Sequence, residues 1–279
     1  MKHLYDSISS ESSKIITKKY STSFSIAVNL LSSNIREAIY NIYGFVRVAD
    51  EIVDSFEEYP KEELLDRFEE EYRYSLKVGI STNPVINAFQ GTVSKYNIDH
   101  ALVDSFLKSM RTDLEKQNYD NQEEIDNYIY GSADVVGLMC LKVFVDGDTQ
   151  KYYELKNSAM ALGSAFQKVN FLRDLKDDHD ILNRTYFPNT DLCNLNEDSK
   201  KLIIDEIEQD FSEGLKGIKQ LPMEAKFGVF MAYRYYSQLL KKLKHTPAFE
   251  IKNTRIRVPN YKKFELLTRS YVKFQLNLL

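Results

Sequence analysis

Apolar residues return every three or four positions along most of this chain, and they nowhere alternate for long with polar ones. That period belongs to amphipathic helices. It predicts helices over about 34–55, 61–78, 84–95, 99–117, 122–145, 149–180, 197–219, 223–244 and 260–277. Asn34, Pro60, Pro84 and Pro222 precede or open four of these patterns and act as start signals. No Pro/Gly/Ser-rich linker and no block of like charge divides the chain, and no repeat of solenoid period runs through it. The expectation is an all-α fold, one domain over 1–279, built as a helical bundle around a central pocket.

Two helices break the simple pattern with a polar stripe. On the first, Tyr43, Arg47, Asp50 and Asp54 stand at i, i+4, i+7 and i+11, while Ile39, Ile42, Val46, Ala49 and Val53 cover the other faces. On the second, about 120 positions later, Gln167, Asn170, Asp174 and Asp178 stand at i, i+3, i+7 and i+11, with Gly163 one turn before them. Arg173 and Lys176 lie close by. Residues four apart share a helix face, so each pair of aspartates sets two carboxylates side by side. Such like-charge pairs weaken a helix by about a few tenths of a kcal/mol, a cost that a cation between them removes. Mg2+ takes hard oxygen ligands and binds through one or two carboxylates plus substrate phosphates, which two facing helices of this kind can offer. Asp50, Asp54, Asp174 and Asp178 are therefore the candidate metal ligands. Asn170 adds a neutral oxygen, and Gly163 leaves room for a ligand against its helix. Asp177 or Asp178 faces the pocket, since both spacings lie on one side. Glu51 either assists the first pair or is solvated. Asp180 and His179 are expected at the surface, because a hard oxygen site does not need imidazole.

Composition narrows the setting. The 37 basic and 41 acidic residues are interspersed and leave a net charge of −4, so there is no nucleic-acid footprint. Cys140 and Cys193 have neither metal-ligand spacing nor the number for a disulfide framework, which fits a reducing, cytoplasmic setting. The N-terminal MKHLYDSISSESSKIITKKYSTSF contains no apolar run of signal-peptide length, and YVKFQLNLL at the other end is too short to span a bilayer. With 19 Tyr, 16 Phe and no Trp, the chain carries many rings for its core and for a greasy pocket. Peripheral contact with the inner face of a membrane remains compatible with that composition.

The run YSTSFSIAVNLLSSNIREAIYNIYGFVRVADEIVD resembles the opening signature of the squalene/phytoene synthase family of head-to-head prenyl synthases. Further on, YIYGSADVVGLM resembles the family's Tyr and Val-Gly segment, and GSAFQKVNFLRDLKDDHDILNRTYFP resembles its second signature with the Arg-x-Tyr-x-Pro element. Order and spacing match from about residue 15 to 190, and NTRIRVPNYKK extends the likeness more loosely.

The resemblance implies an isoprenoid synthase helical bundle around a central apolar channel, with the two acidic helices facing across it. It implies Mg2+, with Mn2+ as substitute, on the four aspartates. Ser21, Ser23 and Phe24 match the Ser-x-Ser-Phe element near the diphosphate. Arg47 and Arg173 match phosphate-binding arginines, and Tyr128 matches a tyrosine near the reacting centre. Tyr186 matches the tyrosine after the second acidic motif, with Arg184 beside it. Val136, Gly137, Gly163 and Phe166 line the tail channel. The implied activity joins two prenyl diphosphates. Chain length and the lack of a spanning helix favour phytoene formation from geranylgeranyl diphosphate. The alternative is dehydrosqualene or squalene from farnesyl diphosphate, with NADPH needed only for squalene. A non-catalytic helical assembly factor is the rival of another class, and no obligate protein partner is implied. Two positions depart from the family pattern. Tyr20 replaces a common basic residue, shifting a phosphate contact to Lys18, Lys19 or another cation. Asp134 replaces a small residue, and a carboxylate there must point away from the tails or pair with a cation.

Overall fold

The computed structural model describes residues 1–116, 119, 121–180 and 195–275, the side chains at 176–180, 260, 264, 272, 273 and 275 excepted. Among the described residues there is no strand. In chain order the helices are α1 (Lys2–Tyr20), α2 (Thr22–Asn29), α3 (Ser33–Asp54), α4 (Lys61–Val78), α5 (Pro84–Tyr96), α6 (His100–Glu115) and α7 (Gln122–Ile129). A π-helical turn (Tyr130–Asp134) leads into α8 (Val135–Phe144). Then follow α9 (Thr149–Asp180), α10 (Glu197–Gln220), α11 (Met223–His245), α12 (Ala248–Ile251) and α13 (Asn260–Gln275). No helix among them is long and apolar enough to cross a membrane.

Local chemistry sets the boundaries. Asn83 caps α5 by accepting from the amides of Val85 and Ile86, with Pro84 in the first turn where its missing N–H costs nothing. Asp99 and Asn121 cap α6 and α7 in the same way. Asn196 and Ser199 form a reciprocal capping box on α10. Gly79, at φ 75°, ends α4 in the left-handed conformation that glycine adopts without strain. Pro60 and Pro222 sit just before α4 and α11, while Asn34 lies inside α3 behind the N-cap Ser32.

The structure adds three helices that apolar periodicity did not predict, α1, α2 and the single-turn α12. α1 buries Ser9, Ser13 and Thr17, a face of small hydroxyl residues with no hydrophobic signal, against α3 and α5. α2 is two turns long and begins at the cap of Ser21. The stretch 122–145 is also corrected, from one helix to α7, the π turn and α8. At that turn Gly131 packs so closely on α6 that a Cβ there would meet the carbonyl of Ser105 at 2.9 Å.

One core lies among α3, α4, α5, α6 and α8. Its centre is Phe45, fully buried, whose ring stacks on Phe89 at 4.0 Å and meets Phe68 at 4.9 Å and Tyr72 at 5.3 Å. A second core joins α9 to α10 and α11 through Val169, Leu172, Ile204, Ile207, Leu240 and Leu243. The space between the two cores is bounded by α3 and α8 on one side and by α9, α10 and α11 on the other. Truncating Phe45 to Ala should cost about 3–5 kcal/mol through lost ring contacts and an unfilled cavity, read as a lower urea midpoint at unchanged slope.

Candidate active site

Between the cores lies a cavity of about 330 Å³. Its floor is apolar, formed by Leu31, Phe144, Leu155, Ile218 and Leu221, and its sides carry Phe24, Val136, Gly137, Cys140, Gly163 and Phe166. Polar groups gather at the other end, where Tyr43 from α3, Gln167 and Asn170 from α9, Ser132 from the π turn and Tyr236 from α11 line it. Phe24 stacks on Tyr43 at 4.7 Å and Phe166 stacks on Tyr236 at 4.1 Å, two ring pairs at the polar end. The Tyr236 hydroxyl donates to Asn170 Oδ1 at 3.2 Å, tying α11 to α9.

Both acidic stripes continue past this polar end. Along α3 the lining residues stop at Val46, and Arg47, Asp50 and Asp54 follow within the next two turns. Along α9 the lining stops at Asn170, and Asp174 follows one turn on. Asp50 and Asp174 thus each lie within about a turn of a cavity-lining residue of their own helix, Val46 on α3 and Asn170 on α9. Asp178, together with Asp177 and His179, and likewise Arg184 and Tyr186, lie outside the residues whose side chains are described.

Arginines take up the rim's negative charge. Arg47 donates through Nη1 to Asp50 at 2.5 Å and through Nη2 to Glu51. Arg173 donates to Asp174 at 2.9 Å through Nε. Arg255, from the segment between α12 and α13, reaches the same carboxylate at 2.8 Å. The donors offered at this end are oxygens alone, which suits a hard divalent cation better than zinc or iron. Among the described residues, no group of three His, Cys, Asp or Glu side chains is gathered around one point.

Several expected residues have a definite local role. Ser21 caps α2, accepting from the Phe24 amide at 3.3 Å, and also hydrogen-bonds the Tyr43 side chain. Ser23 is half-buried beside it. Tyr128 is buried and is not among the residues lining the cavity. Its hydroxyl donates to Asp113 at 3.0 Å, and its ring stacks with Phe171 at 6.1 Å. Gly163 lines the cavity, and the structure adds a packing reason for the glycine to the one inferred from sequence. A Cβ there would stand 3.0 Å from the Ala133 carbonyl, so its smallness lets α9 approach the π turn. Tyr236 and Arg255 are site residues that periodicity did not single out. Tyr236 sits among other tyrosines on α11 and reads as core, and Arg255 sits in an irregular segment with no pattern to mark it.

Asp134 points away from the cavity lining, as an apolar channel requires. It accepts from Ser164 Oγ at 2.8 Å, and Lys168 lies behind it, bonded to Asp210 at 2.8 Å and to Glu206. Burial pushes the Asp134 carboxyl up to about 7, with Ser164 and Lys168 pulling the other way. Burial likewise pushes the Tyr43 phenol and the Cys140 thiol up to about 12.

The structure is thus a helical bundle that holds a mostly apolar cavity with aspartates and arginines near its polar end. The comparisons with known proteins narrow that class. A family model described as Squalene/phytoene synthase matches residues 17–262. A phytoene synthase of Arthrospira platensis is 28% identical over 277 residues, covering 90% of this chain and 89% of its own. A 15-cis-phytoene synthase of Synechocystis is 28% identical over 284 residues, with 93% and 83% covered. Against the chloroplastic Phytoene synthase 1 of Zea mays, also 28% identical, this chain spans 60% of the relative's length. Among solved structures, a dehydrosqualene synthase crystallised with ligand superposes at a TM-score of 0.83 and 21% identity, covering 97% of this chain and 98% of that one. The squalene synthase HpnC from Alicyclobacillus acidocaldarius gives 0.74 at 23% identity, covering 86% and 95%, and both likenesses speak for the fold. The chain belongs to the squalene/phytoene synthase family, prenyltransferases that join two prenyl diphosphates head to head.

Asp134 gives the site a pH signature. Its folded pKa lies above the unfolded value of 3.8, so between about 4 and 7 the folded state holds a proton that the unfolded state does not. Its contribution to stability therefore falls as pH rises through that window. Asp134→Asn should gain over the wild type between pH 5 and pH 8 by at most a few kcal/mol, measured by urea unfolding at both pH values. An equal difference at the two pH values would show that ionisation of this carboxyl carries no cost.

Proposed function

We propose that this chain is a phytoene synthase, converting two geranylgeranyl diphosphates to phytoene through a cyclopropylcarbinyl (prephytoene) diphosphate. The observation that carries the choice of substrate is the depth of the cavity. Its lining on α9 runs without a break from Asn170 to Leu155, fifteen residues or about 22 Å of helix. At about 1.2 Å per bond of an extended chain, each four-carbon isoprene repeat adds about 5 Å. A tail of four repeats, about 20 Å long, is nearer to that span of lining helix than one of three repeats, about 15 Å, and this supports the C20 reading. The phytoene synthases among the relatives support the same reading.

In this reading the diphosphates sit at the rim. Asp50, Asp54, Asp174, Asp178 and the Asn170 oxygen would hold Mg2+, or Mn2+ in its place, which would supply positive charge to offset that of the diphosphate. Arg47 and Arg173 already stand within the rim and can turn their N–H groups from carboxylate to phosphate oxygens. Below them, Phe24, Tyr43, Phe166 and Tyr236 present ring faces, which stabilise an allylic cation without attacking it. The apolar walls keep water from the cationic intermediates until rearrangement is complete.

Incubating the purified protein with Mg2+ and either geranylgeranyl or farnesyl diphosphate, with and without NADPH, tests the proposal. The expected product is a C40 hydrocarbon, identified by mass, from geranylgeranyl diphosphate without NADPH. A C30 product from farnesyl diphosphate alone would make the protein a dehydrosqualene synthase, and a C30 product requiring NADPH would make it a squalene synthase. Absence of product under every condition would favour a non-catalytic helical factor. Asp50→Asn should lower turnover by at least about a hundredfold while leaving the melting temperature within about 2 °C, because Asp50 is partly exposed and outside both cores.

A further inference from the structure

The rim contains one aromatic side chain that neither lines the cavity nor belongs to a core. Tyr20 is the last residue of α1, 51% exposed, yet it is engaged on two sides. Its ring lies over the guanidinium of Arg47, with Cζ 4.4 Å from the ring centroid. Its hydroxyl donates to Glu51 Oε2 at 3.1 Å, while Glu51 Oε1 accepts from Arg47 Nη2. Phenol, carboxylate and guanidinium thus close a small ring of contacts that joins the end of α1 to the acidic turn of α3.

We infer that Tyr20 is a positioning residue, which with Glu51 holds the Arg47 guanidinium at the cavity mouth for a substrate diphosphate. This inference rests on the proposed reaction and adds a residue to it. Arg47 has two carboxylate partners, and only one of them is independent of the metal. Asp50 is a candidate ligand, so a bound cation draws that carboxylate's charge away from Arg47. Glu51 uses one oxygen on Arg47 and the other on Tyr20, which leaves it committed to the arginine. The ring contributes in a way that a further carboxylate could not. A planar guanidinium stacked on an aromatic face keeps its in-plane N–H groups available, so the ring restrains Arg47 without competing with phosphate oxygens for its edge. A lysine or histidine cation at position 20 would instead repel Arg47. The tyrosine converts a second positive charge into support for the first.

The test is calorimetric binding of inorganic pyrophosphate with Mg2+ to the full chain, which requires no turnover. It uses the wild type, Tyr20→Phe, Tyr20→Leu, Arg47→Gln and the Tyr20→Leu/Arg47→Gln double variant. Tyr20→Leu should weaken binding about three- to tenfold, and Tyr20→Phe, which keeps the ring, by about twofold or less. In the Arg47→Gln background, Tyr20→Leu should have no further effect, which marks action through the arginine. The proposal is overturned if Tyr20→Leu binds as the wild type does, or if it loses the same factor with and without Arg47. A purely structural role would lower the melting temperature of Tyr20→Leu and leave its pyrophosphate affinity unchanged, which also overturns it. A wild type that binds no pyrophosphate in the presence of Mg2+ would instead remove the prenyl diphosphate reading on which the inference stands.

Discussion

Carboxylates crowd the open end of an apolar cavity, and that crowding is the constraint on which the remaining architecture depends. The side chains of Asp50, Glu51 and Asp174 are between 14% and 33% exposed, too enclosed for water alone to carry their charge. Arg47 answers from α3, Arg173 from α9, and Arg255 from the segment after α12. Three separate parts of the chain must therefore meet at one end of the cavity. Partly exposed ion pairs of this kind contribute about 0–1 kcal/mol each, so they do little to hold the molecule folded. Their consequence is a rim of balanced charge, in which every arginine has an anionic partner that a diphosphate can replace.

Most of the bundle was legible because a helix that buries one apolar face must repeat its hydrophobic residues every three or four positions. α3, α4, α5, α10 and α11 were predicted to within two residues at each end. What stayed hidden was packing that does not use large apolar side chains. α1 docks through Ser9, Ser13 and Thr17, so its buried face looks like solvent-facing sequence. The π turn before α8 adds a register shift that leaves the flanking apolar pattern intact, and the tight fit of Gly131 on α6 that accompanies it belongs to tertiary structure.

The site divides along the same line. Tyr43, Gln167 and Asn170, which line the cavity, could be read directly, because polar stripes on otherwise apolar helices stand out. Val136, Gly137 and Phe166 came from the family resemblance, and all three line the cavity. Tyr236 and Arg255 stayed invisible because tyrosine suits a core as well as a cavity, and because an irregular segment has no periodicity to break. Gly163 teaches the reverse lesson. Its place at the cavity was legible but its packing role was not, since only the fold shows Ala133 pressed against it.

The apolar lining of the cavity does two jobs with one cause. An environment that lacks water protects a carbocation from hydration, yet a nucleophile built into its walls would be as damaging as water. Cys140 and Tyr43 both line the cavity, and a thiolate or phenolate there would trap the carbocation of the proposed reaction. Both groups are already mostly neutral near pH 7 at their ordinary values, and burial widens the margin, because the desolvation that excludes water also penalises their charged forms and pushes both groups up to about 12. Asp134 is the exception that shows the rule. Its carboxyl has a pKa of only about 7, and the fold turns it out of the cavity onto Ser164. Groups that stay neutral are allowed to face the tails, and the one that ionises near neutrality is held behind the wall.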